Sequence, residues 1–231
     1  MTRPEDLTDA GARPGLRERK AFATKRRLLA AALDLMAREG SDGVTIAILA
    51  DRSDIAVGTF YNYFSSRESI IDAVVELEVG TMGRRLDALI SSIADPADAF
   101  AAVLRHLVRT ALNDPVWGWL IVRLGPESPA VSEIFGRRFE SVLEAGLRNG
   151  RFLLTDVPTA AAVALGSLLA ALRAYLEQER SPGAAATEFT ESQLRAAGLG
   201  VEEAARIAAR RLPELPVIAD QGALSIARIP L

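Results

Sequence analysis

Apolar residues recur along most of this chain at the three- and four-residue spacing of an α-helix. Leu29, Ala32, Leu33 and Met36 are the first clear set, because positions i, i+3, i+4 and i+7 fall on one helical face. Gly40 follows and favours a helix end. The pattern therefore predicts a first helix over residues 22–39.

The same spacing, opened by capping residues or prolines, predicts a series of further helices. Thr45 is the predicted N-cap of a short second helix, and a third covers residues 56–64. The later helices are predicted over 66–94, 95–112, a short stretch from Asp114, 128 to 146 or 150, 158–180 and 201–211. Ser181, Pro182 and Gly183 predict a break, and the chain carries little strand signal. The fold class is therefore all-α.

Residues 45–64 have the pattern of two short helices that cross at a steep angle. Leu49 and Ala50 face inward from the first, Ile55 fills the turn, and Phe60 faces inward from the second. Asp54 stands where such a turn needs a positive φ, which Asp tolerates better than most non-glycine residues. This arrangement is typical of a helix-turn-helix motif, whose second helix enters the major groove of DNA.

The motif resembles that of the TetR family of bacterial transcriptional regulators. The resemblance is carried by Thr45, Leu49–Ala50, Ile55, the run Val57–Phe64 (VGTFYNYF) and Ser66–Arg67–Glu68. Asp54, Ala56 and Ala47 depart from the common pattern, and Ala56 cannot cap the recognition helix, a loss of about 1 kcal/mol.

The resemblance implies an N-terminal three-helix helix-turn-helix DNA-binding domain followed by a larger C-terminal helical domain for ligand binding and dimerisation. The expected division is a flexible basic arm over 1–19, a DNA-binding domain over 20–80 and an effector-binding and dimerisation domain over 81–231.

Several side chains are candidates for DNA contact. Hydroxyl and guanidinium groups suit phosphates, whereas small and methyl-bearing residues can approach base edges. The candidate phosphate contacts are Thr45, Tyr61, Tyr63 and Arg67; those for base edges are Val57, Gly58 and Thr59. Asn62 suits either a phosphate or an adenine, and Arg26 and Arg27 suit the backbone or the minor groove. Residues 56–64 contain no Lys or Arg, so we expect modest direct readout supplemented by DNA shape.

The net charge of the 231 residues gives no indication of a DNA partner. The chain has 27 Lys and Arg against 30 Asp and Glu, a formal net charge of −3. Residues 16–67, however, hold nine cations and six anions, and five of those cations lie between Arg19 and Arg27. A solvated helix face is the alternative explanation for that cluster.

The second half of the chain is expected to hold an effector pocket and a dimer interface. Candidate pocket residues are Phe100, His106, Trp117, Trp119, Arg123, Phe135, Phe139, Arg173 and Tyr175; for each aromatic, ordinary core packing is the alternative. His106 could also be a hydrogen-bonded or exposed histidine rather than a sensor. Candidate interface residues are Ala161, Leu165, Leu168, Leu172 and Leu176, for which the alternative is intrachain core. A four-helix bundle formed by the helices at 158–180 and 201–211 with their symmetry mates follows from the resemblance.

These features predict a cytoplasmic homodimeric repressor that a small, mostly apolar effector releases from a palindromic operator. A TetR-like activator and an effector-independent DNA-binding protein remain alternatives. An enzyme is not expected, because the chain has no Cys, one His and none of the common catalytic motifs. No cofactor or metal is expected. A membrane segment is not expected either, since the apolar stretch 160–172 is shorter than the ~18 residues that span a bilayer.

Overall fold

The computed structural model describes residues 15–125 and 128–218, and the regular structure in these two ranges is entirely helical. The α-helices are α1 Leu16–Glu39, α2 Ile46–Arg52, α3 Val57–Phe60, α4 Arg67–Val75, α5 Thr81–Ser91, α6 Pro96–Asn113, α7 Pro115–Leu124, α8 Pro129–Arg148, α9 Val157–Glu177, α10 Pro182–Ala196 and α11 Val201–Ala208. A 3-10 turn, Ser41–Gly43, follows α1, and a π-helical turn, Glu76–Gly80, joins α4 to α5.

Side chains that accept backbone N–H groups begin many of these helices. Thr45 Oγ1 accepts from the Ile48 amide at 3.3 Å, Asp95 from Ala97 at 2.8 Å and Asp156 from Thr159 at 2.8 Å. Proline occupies the first turn of α6 to α10, where its missing N–H leaves no hydrogen bond unmade. These local signals explain why the predicted starts of α2, α6, α7, α8 and α9 are confirmed to within a residue or two.

The first four helices pack around a shared set of apolar side chains. Leu28 of α1, Leu49 of α2, Phe60 of α3 and Ile70 of α4 are all fully buried. Burying such a side chain stabilises the fold by roughly 1.5–3 kcal/mol. Phe60 therefore fixes the short α3, which has few hydrogen bonds of its own.

The remaining helices form a bundle around α6. Helix α10 lies along α6, α8 and α9 lie side by side, and α7 packs against α1. The buried core is continuous from α1 to α11. Helix α7 is thus the element that connects the bundle to the first helix of the N-terminal region.

The structure corrects several predicted boundaries. Helix α1 begins at Leu16, not at residue 22, because the residues before Leu28 are mostly exposed and leave no apolar face to detect. Residues 16–19 of the predicted flexible arm are helical, and residues 1–14 lie outside the described part. Helix α3 spans four residues instead of nine, and the predicted helix 66–94 contains the π-helical turn and ends at Ser91.

Helix α10 is absent from the elements that the sequence predicts. Ser181, Pro182 and Gly183 indicate a break, but Pro182 is the first residue of a helix. Proline both ends one helix and starts the next, so the same three residues are compatible with either outcome.

Candidate nucleic-acid interface

The connection between α2 and α3 has the geometry of a helix-turn-helix. Asp54 has a φ of 52°, which confirms the positive φ expected at this position. The Ile55 amide donates to the Ala50 carbonyl at 3.0 Å, and Ser53 is fully buried. The turn is therefore held tightly at the base of α3.

The outer face of α3 is open. Val57 is 48% exposed and Tyr61, just past the helix, is 56% exposed. A Cβ placed on Gly58 would meet no atom within 4 Å. Because the buried Phe60 ring packs edge-on to Tyr61, with centroids 5.5 Å apart, the exposed ring is held on a rigid base. This face can approach another macromolecule closely.

Other predicted contact residues flank that face. Thr45 and Asn62 are exposed, whereas Thr59 and Tyr63 are half-buried, and Tyr63 packs on the core. Thr45 Oγ1 already accepts a helix N–H, so its hydroxyl keeps its proton for donation. The structure brings these residues to the region of α2 and α3, with the half-buried pair less accessible.

Arg67 is engaged within the chain. Its Nε donates to the Val44 carbonyl at 2.7 Å, and its Nη2 donates to the Ser41 carbonyl. Its Nη1 lies 3.4 Å from Glu68 Oε1. Most of its donors are thereby committed to the loop before α2, so this side chain positions the loop.

The basic residues of α1 lie on its exposed first turns. Arg27 is exposed and donates to Thr24 Oγ1 at 3.3 Å, while Arg26 is half-buried and its Nε has no hydrogen-bond partner. Lys25 Nζ lies 5.7 Å above the Phe64 ring. The cluster forms one positively charged end of the helix.

One ion-pair network that holds α2 on α1 has no signal in the sequence. Asp34 accepts from Arg38 at 2.7 Å and from Arg52 of α2 at 2.6 Å. Burial raises the pKa of Asp34, but the hydrogen bonds from the two arginines outweigh it and leave the pKa below its usual value. Arg52 is eighteen residues away from Asp34, so no local pattern indicates this pair.

Four of the aromatic residues predicted for the effector pocket are buried in the structure. Phe100, Trp117, Phe135 and Phe139 are buried in the core, and the Phe100 and Phe139 rings meet edge-on at 5.8 Å. Trp117 Nε1 donates to the Glu78 carbonyl at 3.4 Å. These four residues take the core packing that was their alternative.

Trp119, Arg123 and Arg173 do come together. They line a cleft of about 370 Å³ between α7, α9 and the C-terminal end of α1, which contributes Glu39 and Gly40. Arg123 lies 5.4 Å over the Trp119 ring and donates from Nε to the Ala37 carbonyl at 2.8 Å. The cleft thus touches both the helix-turn-helix region and the bundle.

His106 and Tyr175 lie apart from that cleft. His106 Nε2 bonds to the Pro213 carbonyl at 2.9 Å, so that the ring holds the segment after α11. Burial lowers the pKa of His106, the bond to Pro213 opposes this, and the charges of Arg109, Arg85 and Arg105 lower it further. Tyr175 packs under Arg180 at 5.5 Å, and burial raises its pKa.

A second cleft, of about 320 Å³, lies between α5 and α8. Arg138 is its most buried charge, with a side chain 17% exposed, and its Nη2 pairs with Asp87. Arg138 Nε also donates to the Gly83 carbonyl at 2.8 Å, at a point where a Cβ would collide with Arg138 and Ile134. No spacing rule connects residues 51 positions apart, so sequence patterns do not reveal this site.

Comparison with known proteins identifies the chain. The family model described as "Bacterial regulatory proteins, tetR family" matches residues 28–74, and the model described as "Tetracyclin repressor-like, C-terminal domain" matches residues 95–210. The chain belongs to the TetR family. The matched ranges contain the helix-turn-helix and most of the bundle, so the chain is a DNA-binding transcriptional regulator and not an enzyme.

Several TetR-family proteins are similar to it. The crystal structure of RolR in complex with resorcinol is 38% identical, covers 86% of this chain and 99% of that chain, and has a TM-score of 0.66. An HTH-type transcriptional repressor of Mycobacterium tuberculosis is 30% identical over 63% of this chain and 73% of its own length. The repressor KstR of the same organism is 24% identical over 54% of this chain, and the chain spans 59% of KstR.

The residues predicted for the TetR-like dimer interface lie mostly inside the single chain. Ala161, Leu165, Leu168 and Leu172 of α9 are buried among neighbouring helices, and Leu176 is half-buried. In this structure they are part of the intrachain core, which was the alternative to a dimer interface. The opposite side of α9 carries exposed small and apolar residues, of which Val163 is 58% exposed.

Helix α9 is also longer than its apolar stretch suggested. An 18-residue stretch of this 21-residue helix has a mean hydropathy of 1.6, so by length and composition alone the helix could cross a membrane. One such helix is weak evidence, because core helices of globular proteins pass the same test. The buried side of α9 packs on α8, as a core helix does.

In residues 15–125 and 128–218 no group of three His, Asp or Glu side chains is arranged to hold a metal.

Proposed function

We propose that this TetR-family protein is a repressor that binds a palindromic operator as a homodimer and is released by a small aromatic effector. The observation that carries the DNA-binding part is the open outer face of α3, where Val57, Gly58 and Tyr61 stand exposed over the buried Phe60. Two such faces related by a twofold axis would read two half-sites about one helical turn apart.

The proposed DNA contacts are those predicted from the sequence. Val57, Gly58 and Thr59 face base edges, Tyr61, Tyr63 and Thr45 contact phosphates, and Asn62 contacts either. Arg26 and Arg27 meet the flanking backbone. Arg67 acts through the loop that it binds, since its guanidinium donates to the Val44 and Ser41 carbonyls.

For the effector, the similarity to RolR favours a hydroxylated aromatic ring. The cleft offers such a ring the Asp87 carboxylate as an acceptor and Ile90 as an apolar wall. Arg138 uses three of its five N–H groups within the chain, on Gly83, Ile134 and Asp87, and the other two can donate to the ring hydroxyls. The Arg138 side chain is 17% exposed, against 68% for Arg173 of the Trp119 cleft, and its bonds to Gly83 and Ile134 hold the guanidinium in place. We therefore place the effector between α5 and α8.

The Trp119, Arg123 and Arg173 cleft is proposed as the place where effector binding reaches the DNA-binding region. Its Arg123–Ala37 hydrogen bond joins α7 to α1. An effector shifts the DNA-binding equilibrium only if it binds one arrangement of these helices better than the other.

The test of DNA binding uses fluorescence anisotropy with duplexes taken from the DNA that flanks the gene. Binding should require a palindrome and weaken with salt. Tyr61→Ala should abolish it while the oligomeric state by size-exclusion chromatography stays that of the parent chain. Equal binding to every duplex, or an unchanged affinity in Tyr61→Ala, contradicts the proposal.

The test of the effector uses resorcinol and its dihydroxybenzene isomers as probes. At least one should release the palindromic duplex from the parent chain, and Arg138→Gln and Asp87→Asn should each raise the concentration required at least tenfold. Arg148→Gln on the same helix, whose partner is Glu144, is the matched control and should respond like the parent. If release is insensitive to Arg138→Gln, this cleft is excluded as the effector-binding site.

A further inference from the structure

A small cavity of about 210 Å³ lies between α6, α11 and the segment that follows α11. Its apolar lining includes Ala101 and Ala102 of α6 and Ile207 of α11. Arg105, Arg210 and Arg211 supply its cationic lining, and Asp98 is its acidic residue. Asp98, Ala101, Ala102 and Arg105 follow helical spacing, so one face of α6 forms the floor.

Arg105 is the unusual member of this set. The residue is only 9% exposed, and Nη1 donates to the Arg210 carbonyl at 2.6 Å. Its Nε is buried without a hydrogen-bond partner, and no carboxylate of residues 15–125 and 128–218 pairs with it. Burial, and after it the charge of Arg109, lowers the pKa of Arg105.

The acidic residue of the cavity is already engaged. Both carboxylate oxygens of Asp98 lie within 2.6 Å of Arg210 Nη1. In the described part of the chain Arg211 has no ion-pair partner, and Arg109 and His106 lie on the same stretch of α6 as Arg105. The cavity therefore has more positive than negative charge around an apolar floor.

Buried charges in proteins are normally paired, because removing a charge from water costs several kcal/mol. Arginine is also the side chain best matched to a carboxylate, which it can bind through two parallel hydrogen bonds. We propose that this cavity is a binding site for a small organic monocarboxylate, whose carboxylate pairs with Arg105 and Arg211 and whose apolar group lies on Ala101, Ala102 and Ile207.

The cavity limits the size of the ligand. With about 30 Å³ for each water molecule, 210 Å³ corresponds to about seven waters. That volume suits a carboxylate with one compact ring or a short branched chain. The site shares no residue with the Asp87–Arg138 cleft and does not depend on the proposed repressor activity.

The experiment is isothermal titration of the full chain, without DNA, using benzoate as the probe and the neutral benzamide as its isostere. Benzoate should bind saturably, and benzamide at least tenfold more weakly. Arg105→Gln should weaken benzoate at least tenfold, with Arg105→Lys intermediate because it keeps the charge. Arg148→Gln, at an exposed arginine that does not line this cavity and pairs with Glu144, should leave benzoate affinity unchanged.

Because Arg105 is buried, the fold of Arg105→Gln is checked by circular dichroism. If its spectrum differs from that of the parent, Arg211→Gln becomes the decisive variant, since Arg211 is exposed and its replacement should weaken benzoate at least threefold. Equal affinities for benzoate and benzamide overturn the proposal. So does the absence of saturable benzoate binding up to about 10 mM, or benzoate binding that neither arginine variant changes.

Discussion

At the scale of single residues, several arginines join separate segments through backbone carbonyls. Arg67 binds the loop before α2, Arg123 binds the end of α1, and Arg138 binds the start of α5. A guanidinium has five donors and no acceptor, so it can satisfy several carbonyls at once. Arg67 and Arg123, which were candidates for DNA and effector contact, therefore also hold separate parts of the fold together.

Arg67→Ala should destabilise the helix-turn-helix region. The change removes two hydrogen bonds to the Val44 and Ser41 carbonyls, which corresponds to about 1–3 kcal/mol of the free energy of unfolding. Thermal unfolding should shift to lower temperature, and DNA affinity should fall with it. Arg27→Ala, an exposed change on α1, is the control. An unchanged unfolding temperature combined with abolished DNA binding would assign Arg67 to a phosphate instead.

His106 gives the stability a dependence on mildly acidic pH. Its pKa in the folded chain lies below the ordinary 6.5, so the unfolded chain takes up the proton first as the pH falls. The contribution of His106 is therefore complete above about pH 6.5 and is lost as the pH falls toward the folded pKa. Urea unfolding at pH 7.5 and 5.5 should show this loss, and His106→Gln should reduce it.

Asp34 and Asp95 do not interfere with that measurement. Both pKa values are lowered, in each case because hydrogen bonds from arginine outweigh burial, so their contributions are lost only at pH values below the usual 3.8. A His106→Gln chain that loses as much stability as the parent between pH 7.5 and 5.5 would contradict the assignment.

At the scale of elements, most helix starts were predictable, whereas the starts of α1 and α10 and several lengths were not. Caps and prolines are local signals, and Asp95 and Asp114 marked their helices correctly. The exposed start of α1 carries no apolar stripe, and Phe60 holds α3 through tertiary packing that no local pattern encodes. The helix-turn-helix could likewise be identified from the sequence, whereas the Asp87–Arg138 cleft could be found only from the fold.

The exposed start of α1 should contribute to DNA binding through charge alone. Lys20→Gln and Arg17→Gln together should weaken operator binding and make the slope of log affinity against log salt shallower, by about 0.9 for each phosphate that the variant no longer neutralises. Anisotropy titrations at salt concentrations from low to above physiological measure this slope. Arg148→Gln on α8 serves as a control of equal charge type, and an unchanged slope in the α1 variant would indicate a solvated face.

At the scale of the whole molecule, α7 packs directly on α1 and so connects the bundle to the DNA-binding region. Its hydrogen bond from Arg123 to the Ala37 carbonyl lies beside the Trp119 ring. Neither end of this bond is part of α3 or of the Asp87–Arg138 cleft. Its removal should therefore affect the coupling between two binding events more than either event alone.

Arg123→Ala should bind the palindromic duplex and the effector nearly as the parent does, within about threefold, yet lose much of the effector-induced release. The coupling free energy follows from DNA affinity measured with and without saturating effector. Arg173→Ala, which lines the same cleft but bonds only to Glu177, is the matched control. Full coupling in Arg123→Ala would place the connection along α4 and α5 instead.

The π-helical turn Glu76–Gly80 has a consequence for that second connection. A π-turn holds one more residue than an α-turn, and each residue of an α-helix advances the side chains by about 100°. The inserted residue therefore sets how far two helix faces are rotated from each other about the helix axis. One is the face of α4 whose Arg67 binds the loop before α2, and the other is the face of α5 that carries Asp87. Loss of a single codon here would keep a continuous helix but rotate its two ends out of alignment, so this segment should tolerate substitutions far better than changes in length.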